Sequence, residues 1–242
     1  MNLTIDIGNT RIKLGLFEKE RLLEKWIWEK WSLEELILLT TNQKVKNVIL
    51  CNVGKTVPEE ITNFLSSHFF YIELNAHTPL PIQNAYKTPE TLGKDRLAAV
   101  VGAYSMFPDQ NCLIVDAGTC ITYEFLSADG VYLGGNIAPG LEMRLKAMHY
   151  FTAKLPLVEI GETQNTIGYS TESAMRNGAQ LGTMLEIQGF IDWCGSEWGS
   201  INVILTGGDA DFLVKNLKSQ IFVNLNLVLQ GLNKILNYNV EL

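Results

Sequence analysis

Two short segments place aspartate, glycine and small polar side chains at matched spacing. They are Asp6-Ile7-Gly8-Asn9-Thr10 and Asp116-Ala117-Gly118-Thr119-Cys120. Each is an apolar-Asp-apolar-Gly-polar turn between two strand-like runs. Glycine lets a backbone approach a ligand closely, and successive turn N–H groups can cradle phosphate oxygens. A carboxylate repels phosphate directly. Asp6 and Asp116 therefore make sense if a hydrated cation lies between carboxylate and phosphate, as in phosphoryl transfer. A lone aspartate of this kind would read as a turn cap; the matched pair favours the phosphate reading.

A third segment, Gly93-Lys94-Asp95-Arg96, opens a helix that is otherwise apolar through Leu97, Ala98, Ala99, Val100 and Val101. A helix N-terminus favours an anion. A carboxylate there can take the proton of an attacking hydroxyl, and an arginine can fork onto a substrate oxygen. Read alone, the segment fits equally well an ordinary first-turn aspartate beside a solvated arginine. Gly134–Gly140 is either a simple strand-to-helix loop or a loop lining the expected cleft. Thr206-Gly207-Gly208, between an apolar strand and a helix, suits backbone packed against an adenosine. No G-x-x-x-x-G-K-[ST] loop occurs, which excludes a Walker-type nucleotide site. His68, His77 and His149 share no partner spacing, so neither a histidine metal site nor a Ser-His-Asp triad is expected. Trp26, Trp28 and Trp31 read as packing.

The elements that must hold these residues follow from periodicity. Residues 2–7 and 12–17 alternate apolar and polar, predicting a hairpin around Gly8-Asn9-Thr10. A third strand spans 21–28. Ser32 followed by Glu35 marks a helix start. A strand at 47–53, a helix at 58–67 and a strand at 69–74 follow. Thr78-Pro79-Leu80-Pro81 is an extended connector, and a helix covers 93–106. The pattern then restarts, with strands at 113–117, 121–126 and 131–137. A long helix covers 171–193, a strand 202–205, and helices lie near 209–217 and 226–237. The order β-β-β-α-β-α recurs, predicting a duplicated α/β protein with a mixed sheet in each half and a cleft between them. The expected halves are 1–110, with the first phosphate hairpin, and 111–242, with the second hairpin and the adenosine loop.

Composition removes other classes. The chain has 242 residues, 47% hydrophobic and 19% charged, the balance of a globular protein rather than a disordered one. Its net charge is −7 and it lacks a long Lys/Arg run, which argues against a nucleic-acid partner. Cys51, Cys112, Cys120 and Cys194 form no C-x-x-C pair, which is the expectation for reduced thiols in a cytoplasmic protein. No signal peptide and no membrane span are expected.

The segments DIGNTRIKLGLF, YKTPETLGKDRLAAVVGAY, LIVDAGTCITYEF, GGNIAPG, IGYSTESAMRNG and LTGG span nearly the whole chain in order. Together they resemble type III pantothenate kinases, of the actin-like ATPase (ribonuclease H-like) superfamily. The hairpins mark the superfamily; Gly-x-Asp-Arg after Tyr-x-x-Pro, with Asp-x-Gly-Thr, is more specific. The resemblance implies ATP-dependent phosphorylation of pantothenate to 4′-phosphopantothenate, the first step of coenzyme A biosynthesis. It also implies a homodimer and a monovalent cation, K⁺ or NH4⁺, besides a divalent cation such as Mg²⁺ with ATP. By this resemblance Asp95 is the proton acceptor. Asp6, Ile7, Gly8, Asn9, Thr10, Arg11, Ile12 and Lys13 form the first ATP loop, and Thr119 is a second ATP contact. Asp116 is the monovalent-cation ligand. Tyr86, Gly93, Lys94, Asp95, Arg96 and Thr171 contact pantothenate. Cys120 stands where the family often has alanine. Two other readings share these hairpins: a kinase of the superfamily acting on a sugar or acetate, and a non-catalytic nucleotide-binding relative.

Overall fold

The computed structural model describes residues 1–54, 56–162 and 165–242. Its strands are β1 (Asn2–Ile7), β2 (Ile12–Glu18), β3 (Arg21–Trp28), β4 (Asn47–Asn52), β5 (Phe70–Glu73), β6 (Gln83–Asn84), β7 (Cys112–Ala117), β8 (Cys120–Leu126), β9 (Val131–Pro139), β10 (Asn202–Thr206) and β11 (Phe222–Val223). Its helices are α1 (Leu33–Asn42), α2 (Glu59–His68), α3 (Lys94–Met106), α4 (Leu141–Tyr150), α5 (Thr171–Trp198), α6 (Ala210–Val214) and α7 (Leu227–Val240). The first sheet runs β3-β2-β1-β4-β5 and the second β11-β10-β7-β8-β9-β6. Apart from the added β6, each sheet places its own third, second, first, fourth and fifth strands in that order. The predicted duplicated α/β fold with two mixed sheets is the fold found.

Two compact units are distinguished. The first comprises Met1–Asp109, Leu126–Leu133 and Asn226–Leu242; the second comprises Gln110–Phe125 and Gly134–Leu225. In the first, β1 pairs antiparallel with β2 and parallel with β4. Its alternation suggests one wet face, yet all six of its residues are buried. Leu3, Ile5 and Ile7 join a core with Leu36, Ile61 and Leu65 of α1 and α2. The other face carries Asn2, Thr4 and Asp6, and Asn2 donates to the Asn233 and Asn237 side chains of α7 at 3.0 and 2.6 Å. Asn47 donates to Asn2 in turn, and Asn233 donates to the Lys19 carbonyl. A buried amide in such a ladder has its polar atoms satisfied, which is what permits polar residues under a helix.

Helix α3 packs closely on α7. A Cβ on Gly102 would lie 2.6 Å from the Leu227 carbonyl oxygen, and one on Gly231 would overlap the Ala98 carbonyl. The two backbones approach because these positions lack side chains. In the second unit, Leu113, Val115, Ile121 and Tyr123 of β7 and β8 form a core with Met184, Ile187 and Ile191 of α5 and Leu213 of α6.

Local signals mark several boundaries. The Ser32 hydroxyl accepts from the Glu35 backbone N–H at 3.2 Å, starting α1. Ser170 and Ser173 form a reciprocal capping box at the start of α5. The strand expected at 131–137 is found and runs on to Pro139, which displaces the loop reading of Gly134–Gly140 at all but its last residue. Strand β9 continues through it, bent at Gly134 with φ of 124°, and only Gly140 separates it from α4. Glycine and proline there admit a bend without ending the strand.

Gly231→Ala should destabilise the protein by about 1–3 kcal/mol through overpacking between α7 and α3. The check is the midpoint of denaturant unfolding; an unchanged midpoint at unchanged slope would show that the two helices have room to part.

Candidate active site

In the first unit the turn after β1 projects from the C-terminal end of the central strand. The Gly8 N–H donates to the Arg11 carbonyl at 3.1 Å and closes the turn, leaving Asn9, Thr10 and Arg11 exposed. Asp6 and Lys13 are register partners, and the Lys13 Nζ lies 3.8 Å from Asp6 Oδ2. Asp6 is also the register partner of Cys51 on β4. The hairpin therefore offers an exposed loop at its tip, with a buried carboxylate and an exposed ammonium at its base.

Asp95 occupies the first turn of α3, and its Oδ1 accepts from the Arg96 backbone N–H at 2.8 Å. Gly93, just before the helix, leaves room for that carboxylate: a Cβ there would stand 2.7 Å from Asp95 Oδ1. Arg96 is buried, and its guanidinium carbon lies 5.5 Å from the centre of the Tyr86 ring. Tyr86 in turn stacks on Tyr132, with planes 4° apart and centroids 6.1 Å apart. The segment bearing Tyr86 is fixed by the short parallel pairing of β6 with β9 and by the Ala85 N–H donating to the Tyr132 carbonyl. A cation held over an aromatic face is restrained in position without losing its charge. Arg96 is thus no solvated surface residue.

Cys51 reports how these groups converge. Burial pushes its thiol well above the ordinary value; the Asp6 carboxylate raises it further, Asp95 adds to that, and Lys94 opposes it. The hairpin aspartate and the helix aspartate therefore act on one buried atom at the C-terminal ends of β1 and β4. Such a thiol stays protonated and unreactive.

The second unit repeats the arrangement. Asp116 on β7 is the register partner of Thr206 on β10, as Asp6 is of Cys51. Gly207, with φ of 94°, closes on it: a Cβ there would be 2.6 Å from Asp116 Oδ1 and would overlap the Ala117 carbonyl. The Gly118 N–H donates to the Cys120 carbonyl at 2.9 Å, and Thr119 is exposed. The Gly140 N–H donates to the Thr119 carbonyl at 3.1 Å, which seats the start of α4 on this turn. Thr171 is the exposed first residue of α5.

Sequence reasoning passed over two features. One is Cys51-Asn52-Val53, followed by Gly54, the counterpart by register of Thr206-Gly207-Gly208. There the Gly54 N–H donates to the Asn52 side chain, and a Cβ on Gly54 would lie 3.8 Å from Asn9 Oδ1. Its signal was the duplication itself. The other is Asp209, directly after the glycine pair, whose carboxyl is raised by burial and then by Glu142. No group of three or more His, Cys, Asp or Glu that could hold a metal occurs among the described residues. The four cysteines are free thiols.

Comparison with known proteins bears on the family of the chain. The family description Type III pantothenate kinase matches residues 2–192. A type III pantothenate kinase of Bacteroides fragilis is 45% identical, covering 99% of this chain and 98% of its own. One from Flavobacterium johnsoniae is 42% identical, covering 100% and 99%. Among solved structures, a Campylobacter jejuni protein described as a Baf family transcriptional activator superposes with a TM-score of 0.64 at 23% identity, covering 99% of this chain and 100% of its own. The activator of 2-hydroxyisocaproyl-CoA dehydratase from Clostridium difficile, with bound ADPNP, gives 0.54 at 12%, covering 99% and 94%. These last two bear on the fold alone. Over its whole length, by sequence and by the two matched turns, this chain belongs to the type III pantothenate kinase family.

Proposed function

We propose that Asp95 is the general base of an ATP-dependent pantothenate kinase, taking the proton of the attacking hydroxyl as the γ-phosphoryl group is transferred to it. The observation that carries this reading is the convergence of Asp6 and Asp95 on Cys51 at one end of the first sheet. This joint influence on one buried thiol supports reading the Gly8 turn and the Asp95 carboxylate as parts of one site. The product is 4′-phosphopantothenate, the first intermediate of coenzyme A biosynthesis.

The exposed hairpin tip, Asn9 to Arg11, is suited to meet phosphate with backbone and side chains, with Gly8 allowing close approach and Lys13 supplying positive charge. Arg96, restrained over Tyr86, is placed to pair with the pantothenate carboxylate. Gly93 and Lys94 complete that contact, and Thr171 supplies another. Thr119 is the second ATP contact. Asp6 and Asp116 are hard oxygen donors, which suits a divalent ion that keeps most of its waters. Bound with ATP, such an ion neutralises charge developing on the phosphates. Asp116, closely covered by the Gly207 turn, is assigned to the monovalent cation, potassium or ammonium. Free thiols and the absence, among the described residues, of any helix long and apolar enough to cross a membrane support a cytoplasmic setting.

A homodimer is proposed through α5. Its Met175 and Ala179 face the chain's own core, while Gly178 meets nothing within 4 Å and Leu185 is 64% exposed. A helix side with open glycine and exposed leucine suits close approach of a second copy.

Asp95→Asn keeps size and hydrogen bonding but removes the base, so kcat should fall roughly 10²–10⁴-fold with KM for ATP little changed. Wild-type kcat at saturating substrates would sink the assignment. Activity should vanish in excess chelator and rise when potassium or ammonium replaces sodium; equal rates in sodium and potassium buffers would remove the monovalent ion. Sedimentation should show a dimer, and an α5-face substitution that separates it should raise KM for pantothenate more than KM for ATP. A fully active monomer at assay concentration would refute a part for the dimer in binding pantothenate.

A further inference from the structure

A polar network in the second unit has no place in the chemistry above. Arg144, on α4, donates from Nε to the Pro139 carbonyl at 2.8 Å and from Nη2 to Glu186 Oε2 at 2.8 Å. The other oxygen of Glu186, on α5, accepts from the Tyr123 hydroxyl of β8 at 2.7 Å. Burial pushes the Tyr123 phenol up and the bond to Glu186 adds to this, so it remains a proton donor. Four elements, β8, β9, α4 and α5, are tied by three side chains. The Arg144 and Glu186 side chains are only 20% and 30% exposed, and ion pairs so shielded are costly to form unless each group is well bonded.

The atom Arg144 holds is the informative one. Pro139 is the last residue of β9, and the next residue, Gly140, lies on the second phosphate turn. Its N–H donates to the Thr119 carbonyl at 3.1 Å, and a Cβ on it would overlap the Gly118 carbonyl and lie 2.6 Å from that of Thr119. No side chain caps the start of α4. Nothing else described on α4 fixes that junction through a charged group. We propose that Arg144, oriented by Glu186 and Tyr123, is a positioning residue for ATP, holding the Pro139-Gly140 backbone so that the Gly118-Thr119 turn keeps its phosphate-binding shape. A guanidinium suits this because its rigid fork reaches a carbonyl and a carboxylate at once, which a single ammonium does less well. The inference rests on the reading of Gly118-Thr119 as a phosphate turn.

The test uses Arg144→Lys and Glu186→Gln in the full-length enzyme, with Thr119→Ala as a control for the turn. In Glu186→Gln the Tyr123 bond can persist while the counter-charge to Arg144 is lost. Both network variants should raise KM for ATP roughly tenfold, the change that accompanies loss of one charge-assisted hydrogen bond. KM for pantothenate should stay within about twofold of wild type, on the same scale. An ATP KM unchanged in both variants, or ATP and pantothenate KM rising together, would overturn the positioning role. Failure of both variants to fold would also overturn it, leaving the network a support of the fold only. If Thr119→Ala itself leaves ATP KM unchanged, the phosphate-turn reading fails first. If Thr119→Ala raises it and the network variants do not, only the role of Arg144 fails.

Discussion

The first unit depends on how closely α3 can lie against α7. Gly102 and Gly231 remove side chains where the two backbones meet, and Ala98 keeps the third position small. That contact fixes α3, and α3 carries Asp95 in its first turn. A base must lie within hydrogen-bond reach of the proton it takes, so if Asp95 is the base as proposed, small displacements of this helix bear directly on turnover. The same packing lets α7 cover the polar face of β1, where Asn2, Thr4 and Asp6 would otherwise need water. Helix packing and the placing of carboxylates are therefore a single constraint in this unit.

Electrostatics set the second theme. A chain with net charge −7 must handle the far more concentrated charge of ATP. On the proposed reading it does so with local devices, exposed turn backbone and Lys13 beside Asp6 for the nucleotide, while Arg96 restrained over Tyr86 serves the acid substrate. Each supplies positive character where it is needed without a basic surface, which would also attract unrelated polyanions. Carboxylates beside both turns suit cations that travel with the nucleotide. The raised thiol of Cys51 comes first from burial and then from the two nearby aspartates, and is no sign of thiol chemistry.

Much of this was legible in local sequence. The hairpin at Gly8, the Ser32 helix start and the length of α3 followed from alternation, capping chemistry and apolar content, because these are short-range effects. Of the two overlapping readings of Gly134–Pro139, strand and loop, the strand is the one found, although glycine and proline mark loops on average. The strands β6 and β11 have two residues each, too few for any period to show. Arg96 left two readings open because nothing in its neighbours along the chain announces Tyr86 as a partner.

The sequence alone determined the two matched turns, the order of elements and the presence of a carboxylate at the start of an apolar helix. These are set by residue type and by neighbours within a few positions. Tertiary structure alone decided that Thr4 and Asp6 are buried, because α7 covers them from the far end of the chain. It alone decided that α7 completes the first unit, that Arg96 rests on Tyr86, and that Arg144 reaches Pro139 and Glu186 together. Such pairings join residues distant in sequence. Their energies depend on burial and on the meeting of particular backbone atoms, which no local pattern records.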